Sequence, residues 1–251
     1  MSSDFILEDL HVSTRPLAET AARICDTAGS TAALTVFTLN LDHVVKMRSD
    51  AAFRAAYTRA GLITADGFPV VLAGSLRGVR FNRVAGSDLI APICAEAART
   101  GKSIFLFGSS PDVLLQSSRA LQDRNPGLRI AGTLAPPQGF SPTSEEARRA
   151  IETIAASGAD LCFVALGAPK QELFADFAKH IVPTVSFVCI GAGLDFITGA
   201  QVRAPYWMQR SGLEWVWRVA KSPNRLLHRY LLCIAALPGF LARAVLVPQR
   251  R

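Results

Sequence analysis

The sequence predicts an α/β fold: a mostly parallel sheet with helices on both faces, followed by a basic helical appendage. Three observations carry this expectation. Short continuous apolar runs end in glycine-rich or polar turns and lead straight into helical patterns, the alternation expected of a parallel sheet buried on both faces. The 251 residues are 50% apolar and 19% charged, which excludes disorder and supplies one large core. The charge is also lopsided. The net charge is +7, but after residue 199 nine Lys or Arg stand against one acid, Glu214, so the last segment carries +8 and the rest about −1.

The elements follow in order. TAALTVFTLN, ending at Asn40, reads as the first strand. ITADGFPVV, from Ile63, is an apolar–polar approach to an Asp66-Gly67 turn. SIFLFG ends at Gly108 and leads through Ser109-Ser110-Pro111 into a helix over DVLLQSSRALQDR, with serine as cap and proline at the first helical position. LCFVALG ends at Gly167 and leads through APKQ into ELFADFAKH. TVSFVCIG ends at Gly191 and leads into AGLDF. In such sheets ligands bind beyond the carboxyl ends of the strands, so Gly108, Gly167, Gly191 and Gly193 mark the expected rim of a site. A boundary is expected near residue 199, dividing an α/β body (1–199) from an appendage (200–251), and the body is expected to fold without the appendage.

Several chemistries are excluded by what the sequence lacks. There is no Walker A motif, and GAGLDF at 191–196 has no third glycine where a dinucleotide fingerprint needs one. No two acids lie two apart, so a D-x-D metal–nucleotide clamp is missing, and the four histidines are scattered. No metal site and no cofactor are expected. The five cysteines occur singly, mostly inside apolar runs, and read as buried reduced thiols of a cytosolic protein. MSSDFILEDL has no basic stretch followed by an apolar one, so no export signal is expected.

The residues that remain each have two readings. Asp66 is either a general base, its proton affinity raised by apolar surroundings, or an ordinary Asp-Gly turn. Thr38 and Asn40 offer a hydroxyl and an amide to a sugar, or cap the next helix. Arg83 is a phosphate ligand or a surface charge. Lys170 and Gln171 open a helix, where an anion is favoured. With no metal clamp, a bound diphosphate would need arginine, lysine and backbone N–H groups.

The appendage is apolar as well as basic. Leu213, Trp215, Val216, Trp217 and Val219 precede RLLHRYLLCIAALPGFLARAVLV. Between Leu231 and Ala242 no residue is charged, and Pro238-Gly239 is expected to break the run, leaving pieces short of the about 20 residues that cross a bilayer. Apolar segments with Trp and Tyr, bordered by arginine, describe a segment lying in a membrane interface. Packing of Trp207, Trp215 and Trp217 on the body is the competing expectation. Nucleic acid is not an expected partner, because the basic residues interleave with large aliphatics rather than forming a polar face.

Taken together, T-x-N, ADG-x-P, RVAG-x-D, LFGSSP, LGAPKQE, GAGLDF, RAP-x-W and GLEW-x-WR with Pro223, Arg225, Arg229 and Tyr230 resemble the WecG/TagA/CpsF glycosyltransferases, glycosyltransferase family 26, from about Thr35 to Tyr230. The resemblance implies a Rossmann-like fold and an inverting, metal-independent transfer from a UDP-sugar donor to a polyprenyl-diphosphate-linked sugar acceptor. It implies a cytoplasmic enzyme peripheral on the inner face of the plasma membrane, in cell-surface or exopolysaccharide synthesis. Asp66 matches the family's proposed base, and Thr38 and Asn40 match polar residues near it. Arg83, Lys170 and Gln171 match positions near the donor, and Gly191, Gly193 and Asp195 match the nucleotide loop. Arg203, Arg218, Arg225 and Arg229, with Trp215, match the basic appendage, expected at the acceptor diphosphate and an anionic membrane. Asn82 and Ala192-Gly193-Leu194 depart from the family pattern, where a Glu and a more glycine-rich run are common. A homo-oligomer, with one copy's tail completing a neighbour's site, is compatible with the pattern. Two rivals are a membrane-associated nucleotide-sugar-binding protein without transferase activity and a dinucleotide-dependent oxidoreductase.

Overall fold

The computed structural model describes residues 4–246 apart from 206 and 209–211; the side chains of Asp4 and Arg225 also lie outside that description. In chain order the strands are β1 (Asp4–Leu7), β2 (Leu10–Ser13), β3 (Thr35–Leu39), β4 (Leu62–Ala65), β5 (Ser103–Gly108), β6 (Arg129–Leu134), β7 (Leu161–Ala165) and β8 (Ser186–Cys189). They form one eight-stranded sheet in the order β1-β2-β4-β3-β8-β7-β5-β6. All neighbours pair in parallel except β1 and β2, an antiparallel hairpin at one edge. The expected α/β architecture with a mostly parallel sheet is therefore present. The hairpin and the edge strand β6 were not legible in the sequence: β1 and β2 are only four residues each, and β6 is half exposed, without a continuous apolar run.

The helices are α1 (Leu17–Thr27), α2 (Leu41–Met47), α3 (Ala51–Arg59), α4 (Phe68–Ser75), α5 (Gly86–Thr100), α6 (Pro111–Arg124), α7 (Glu145–Ala156), α8 (Lys170–Ile181), α9 (Gly193–Thr198), α10 (Glu214–Lys221) and α11 (Pro223–Leu246). Because successive strand residues point to opposite faces, the strands from β3 onward feed two cores, while β1 and β2 feed one. Val36, Ile104, Leu106, Leu161, Phe163 and Val188 pack with residues of α1, α5, α6 and α9. Phe37, Leu39, Phe105, Phe107, Val164 and Phe187 pack with residues of α2, α3, α4, α7, α8 and α11. α6 begins as its sequence predicts, with the Ser110 hydroxyl accepting from Val113 N–H and Pro111 at the first position. All five cysteines are buried and free.

The appendage differs from its expectation in one respect. Pro238-Gly239 does not break it: α11 is one continuous helix of 24 residues. An interior proline costs about 3 kcal/mol of helix stability. Beyond it, however, Phe240 is fully buried and Ala244 nearly so, in the same core as Val70, Ala73 and Phe81. Burying one such aromatic contributes roughly 1.5–3 kcal/mol, enough to offset most of the proline's cost. The C-terminal end is also held by Arg77, which donates from Nη1 to Ala244 O at 2.8 Å. Uninterrupted, Leu226–Leu246 is long and apolar enough to cross a membrane by length and composition, with mean hydropathy 1.5 over its 21 residues. One face of it nonetheless lies along the body, and Leu227, Leu231 and Leu232 point outward.

Candidate active site

Strands β3 and β4 wind to one side of β8 while β7, β5 and β6 lie on the other, and this reversal opens a crevice over the carboxyl ends of the strands. A cavity of about 1440 Å³ fills it, roofed by α10 and α11. Thr38, Asn40, Asp66, Arg83, Gly167, Gln171, Gly191 and Asp195 from the body line it together with Arg203, Trp215, Arg218 and Arg229 from the appendage. Sequence separations of more than 150 residues thus close onto one space. The appendage covers the site of its own chain.

Three expected residues stand elsewhere. Lys170 is exposed and outside the lining. Gly108 serves strand packing: a Cβ there would stand 2.4 Å from Ala165 O, on a backbone with φ +109°. Gly193 packs on Ile90 at the start of α9. Arg225's side chain lies outside the described residues.

Asp66 follows β4 directly. Its N–H donates to Leu39 O at 2.8 Å, which ties the turn to the end of β3. Burial pushes its carboxyl up from the ordinary carboxylate value, and Arg83 opposes that shift from 3.8 Å. The direction is the one its apolar approach suggests. Asn40 caps α2 through its Oδ1, which accepts from His43 N–H at 3.0 Å, and its Nδ2 faces His43 Nε2 at 3.4 Å. Burial pushes His43 down to about 4, so the ring is neutral. A neutral ring that accepts at Nε2 donates at Nδ1, and Thr38 O lies 2.7 Å from it. Capping and cavity-lining are therefore both true of Asn40, and the buried histidine fixes which end of its amide looks outward.

Gln171 is fixed in the same way. Its Oε1 accepts from Gly191 N–H at 3.0 Å, and its Nε2 donates to Glu172 Oε1 at 2.8 Å. Glu172 is fully buried, and burial pushes it up to about 7. An acid whose folded pKa exceeds its unfolded one binds its proton more tightly when folded. Its contribution to stability is complete below the ordinary 4.5 and is lost as pH rises towards about 7. Urea unfolding across that interval is expected to show a decline of a few kcal/mol that Glu172→Gln flattens. An equal slope in the variant would overturn this assignment.

The appendage is held by carboxylates that each serve two cations. Asp42 takes Arg229 Nε at 2.6 Å and also Lys46. Glu8, at the hairpin turn, lies 3.7 Å from Arg243 and 4.0 Å from Arg48. Asp88 joins Arg203 to Arg83. Burial pushes Asp42 up, but Arg229 and Lys46 outweigh it and hold the carboxyl below its usual value. Of these three acids only Asp88 belongs to a motif, as the last residue of RVAG-x-D, and no role is written for it there. At the far wall, Asp195 accepts from Ser109 Oγ at 2.8 Å and Gln201 Nε2 at 2.6 Å. A second cavity of about 590 Å³ begins there, lined also by Pro111 and Gln138. Asn82 donates to Thr14 O at 3.0 Å, a structural tie to the segment after the hairpin. Among the described residues no group of three or more His, Cys, Asp or Glu is placed to hold a metal ion.

An open, mostly parallel sheet with a large cavity over its strand ends defines a doubly wound α/β protein built to bind its ligand at that crevice. A scan against protein families matches residues 6–251 to the Glycosyl transferase WecG/TagA/CpsF family. The match spans nearly the whole chain, appendage included: the chain belongs to this family and is a glycosyltransferase.

Proposed function

We propose that the protein transfers a sugar from a UDP-sugar to a polyprenyl-diphosphate-linked sugar, with inversion and without a metal, at the inner face of a membrane during cell-surface polysaccharide synthesis. The observation that carries this reading is the convergence, in one cavity, of a carboxyl with raised proton affinity and a set of arginines. Asp66 takes the proton of the acceptor hydroxyl as its oxygen attacks C1 of the donor sugar. The bond from C1 to the diphosphate oxygen breaks on the opposite face, and UDP leaves with the electron pair. Arg203 and Arg218 supply positive charge where that leaving group develops its own. The amides of Asn40 and Gln171, each locked by a buried partner, offer directional bonds to sugar hydroxyls.

The outward face of α11 supports the membrane side of the reading. Leu227 and Leu231 are about half exposed, and Trp207 is also bare. Basic residues near an anionic surface add about 1 kcal/mol each. Because α11 is pinned to the body at Arg229 and Arg243, this helix lies along the surface rather than through it. The full chain is expected to co-sediment with anionic vesicles, and the Leu227→Asp/Leu231→Asp variant to remain in the supernatant. Undiminished sedimentation of the variant sinks the interfacial role of α11.

Radiolabel transfer tests the reaction itself. The protein is incubated with a short-chain polyprenyl-diphosphate-GlcNAc or -glucose acceptor, and UDP-N-acetylmannosamine, its uronic acid or UDP-glucose as donor, with EDTA throughout. Transfer from one donor is the expected result. UDP binding without transfer from any pair would favour a nucleotide-sugar-binding protein instead.

A further inference from the structure

Asp88 stands in the first turn of α5, and the start of that helix is pressed hard onto the end of β8. A Cβ on Gly86 would meet Cys189 O at 2.4 Å, so glycine there is what allows the approach. The two oxygens of Asp88 are divided between arginines from distant parts of the chain. Oδ2 holds Arg83 Nη2 at 3.0 Å, and Oδ1 holds Arg203 Nη1 at 2.7 Å. Arg83's other amino group, Nη1, is left 3.8 Å from Asp66 Oδ1. A guanidinium is a rigid planar fork, so fixing one amino group fixes the other. Arg83 thus makes its close contact with Asp88 and only a long one with Asp66.

We propose that Asp88 is a positioning residue, which holds Arg83 back from Asp66 and fixes Arg203 at the cavity so that Asp66 keeps an uncommitted carboxylate for the acceptor hydroxyl. This rests on the reading of Asp66 as the base. Without the Asp88 charge, the nearest carboxylate left to Arg83 is Asp66, and a charge-assisted pair between them would take up the oxygen that the acceptor needs. The groups that act on Asp66 are Arg83, ahead of α5; Arg218 and Glu214, on α10; and Asp88 itself. The two arginines lower its proton affinity and the two acids raise it. Removing Asp88 deletes a raising influence and brings a lowering one closer. Both changes have the same sign.

The test uses the full chain with ¹³C-carboxyl aspartate, the Asp66 signal being assigned by its loss in Asp66→Asn. In Asp88→Asn the Asp66 titration is expected to move to lower pH, and in Asp88→Glu to stay close to that of the unaltered protein. Transfer by Asp88→Asn is expected to fall on the order of 10- to 100-fold in kcat, the scale of a small misplacement in a site, with the acid limb of its pH profile displaced in the same direction. Asp88→Glu should recover most of that loss. An Asp66 titration that does not move in Asp88→Asn overturns the proposal, even if activity drops, because a purely structural role would lower activity without that signature. A titration that moves while the acid limb stays fixed upholds the positioning and overturns Asp66 as the base, which separates the two failures.

Discussion

Asp66→Asn lowers turnover by about 10²–10⁴-fold, the range associated with losing general-base action, while UDP binding and the fold persist. The substitution is nearly isosteric. Asp66 anchors its turn through its backbone N–H to Leu39 O rather than through its side chain, so the turn survives the change. What is lost is a carboxyl that burial makes more basic than usual and that faces the cavity at the end of β4. Arg83 is released from its long contact and remains held by Asp88 at 3.0 Å, so the cation does not swing away. Initial rates of sugar transfer, with isothermal titration of UDP alongside, check the prediction. Transfer at near-normal rate by the folded variant would falsify the base assignment and move the proton to a group on the acceptor or to water.

The second large effect is one of stability. Phe240→Ala is expected to cost about 3–5 kcal/mol, the usual range for emptying a fully buried aromatic site. In a chain of this size that lowers Tm by roughly 10 °C. Leu227→Ala, on the outward side of the same helix, should stay within about 0.5 kcal/mol. The contrast matters because Phe240 lies far along the appendage, yet its ring fills the core beside Val70, Ala73 and Phe81. Differential scanning calorimetry of both variants decides it, and a Phe240→Ala loss below about 1 kcal/mol would mean that the body closes without α11. The same packing bears on truncation near residue 199. A shortened chain loses Cys233, Phe240 and Ala244 from its core and leaves Asp42, Asp88 and Glu8 each short of one cation.

The alternation of apolar runs with helices made β3, β5, β7 and β8 and the helices after β5, β7 and β8 legible, because buried parallel strands have few ways to be written. The short hairpin and the edge strand β6 carried no such signature. At the site, the motif residues gathered as a group: Thr38, Asn40, Asp66, Arg83, Gln171 and Asp195 all line one cavity. Gly108, Gly193 and Lys170 share those motifs but do packing or surface work. A motif records proximity in sequence, and alternate residues of one turn face opposite ways. Asp42 and His43 carry no motif, and Asp88 and Glu172 stand inside RVAG-x-D and LGAPKQE without a role written for them. Their importance comes from partners 3 to 187 residues away or from complete burial, and neither is written locally. Pro238 reads as a helix breaker by local propensity alone, and the burial of Phe240 that carries the helix past it is a tertiary effect.

Helix α11 is shared property: Cys233, Phe240 and Ala244 belong to the body's core, while Leu227 and Leu231 look outward. A surface that occupies the outward side and has no affinity for the unfolded chain selects the docked helix. Such an occupant is therefore linked to folding by mass action, and at a hundred times its dissociation constant it adds about 2.7 kcal/mol to the stability of the whole protein. The crevice shares this linkage, since its roof includes the same helix. Attachment and assembly of the site are two readings of one equilibrium, so a chain adrift in solution should be both the less stable and the less competent form.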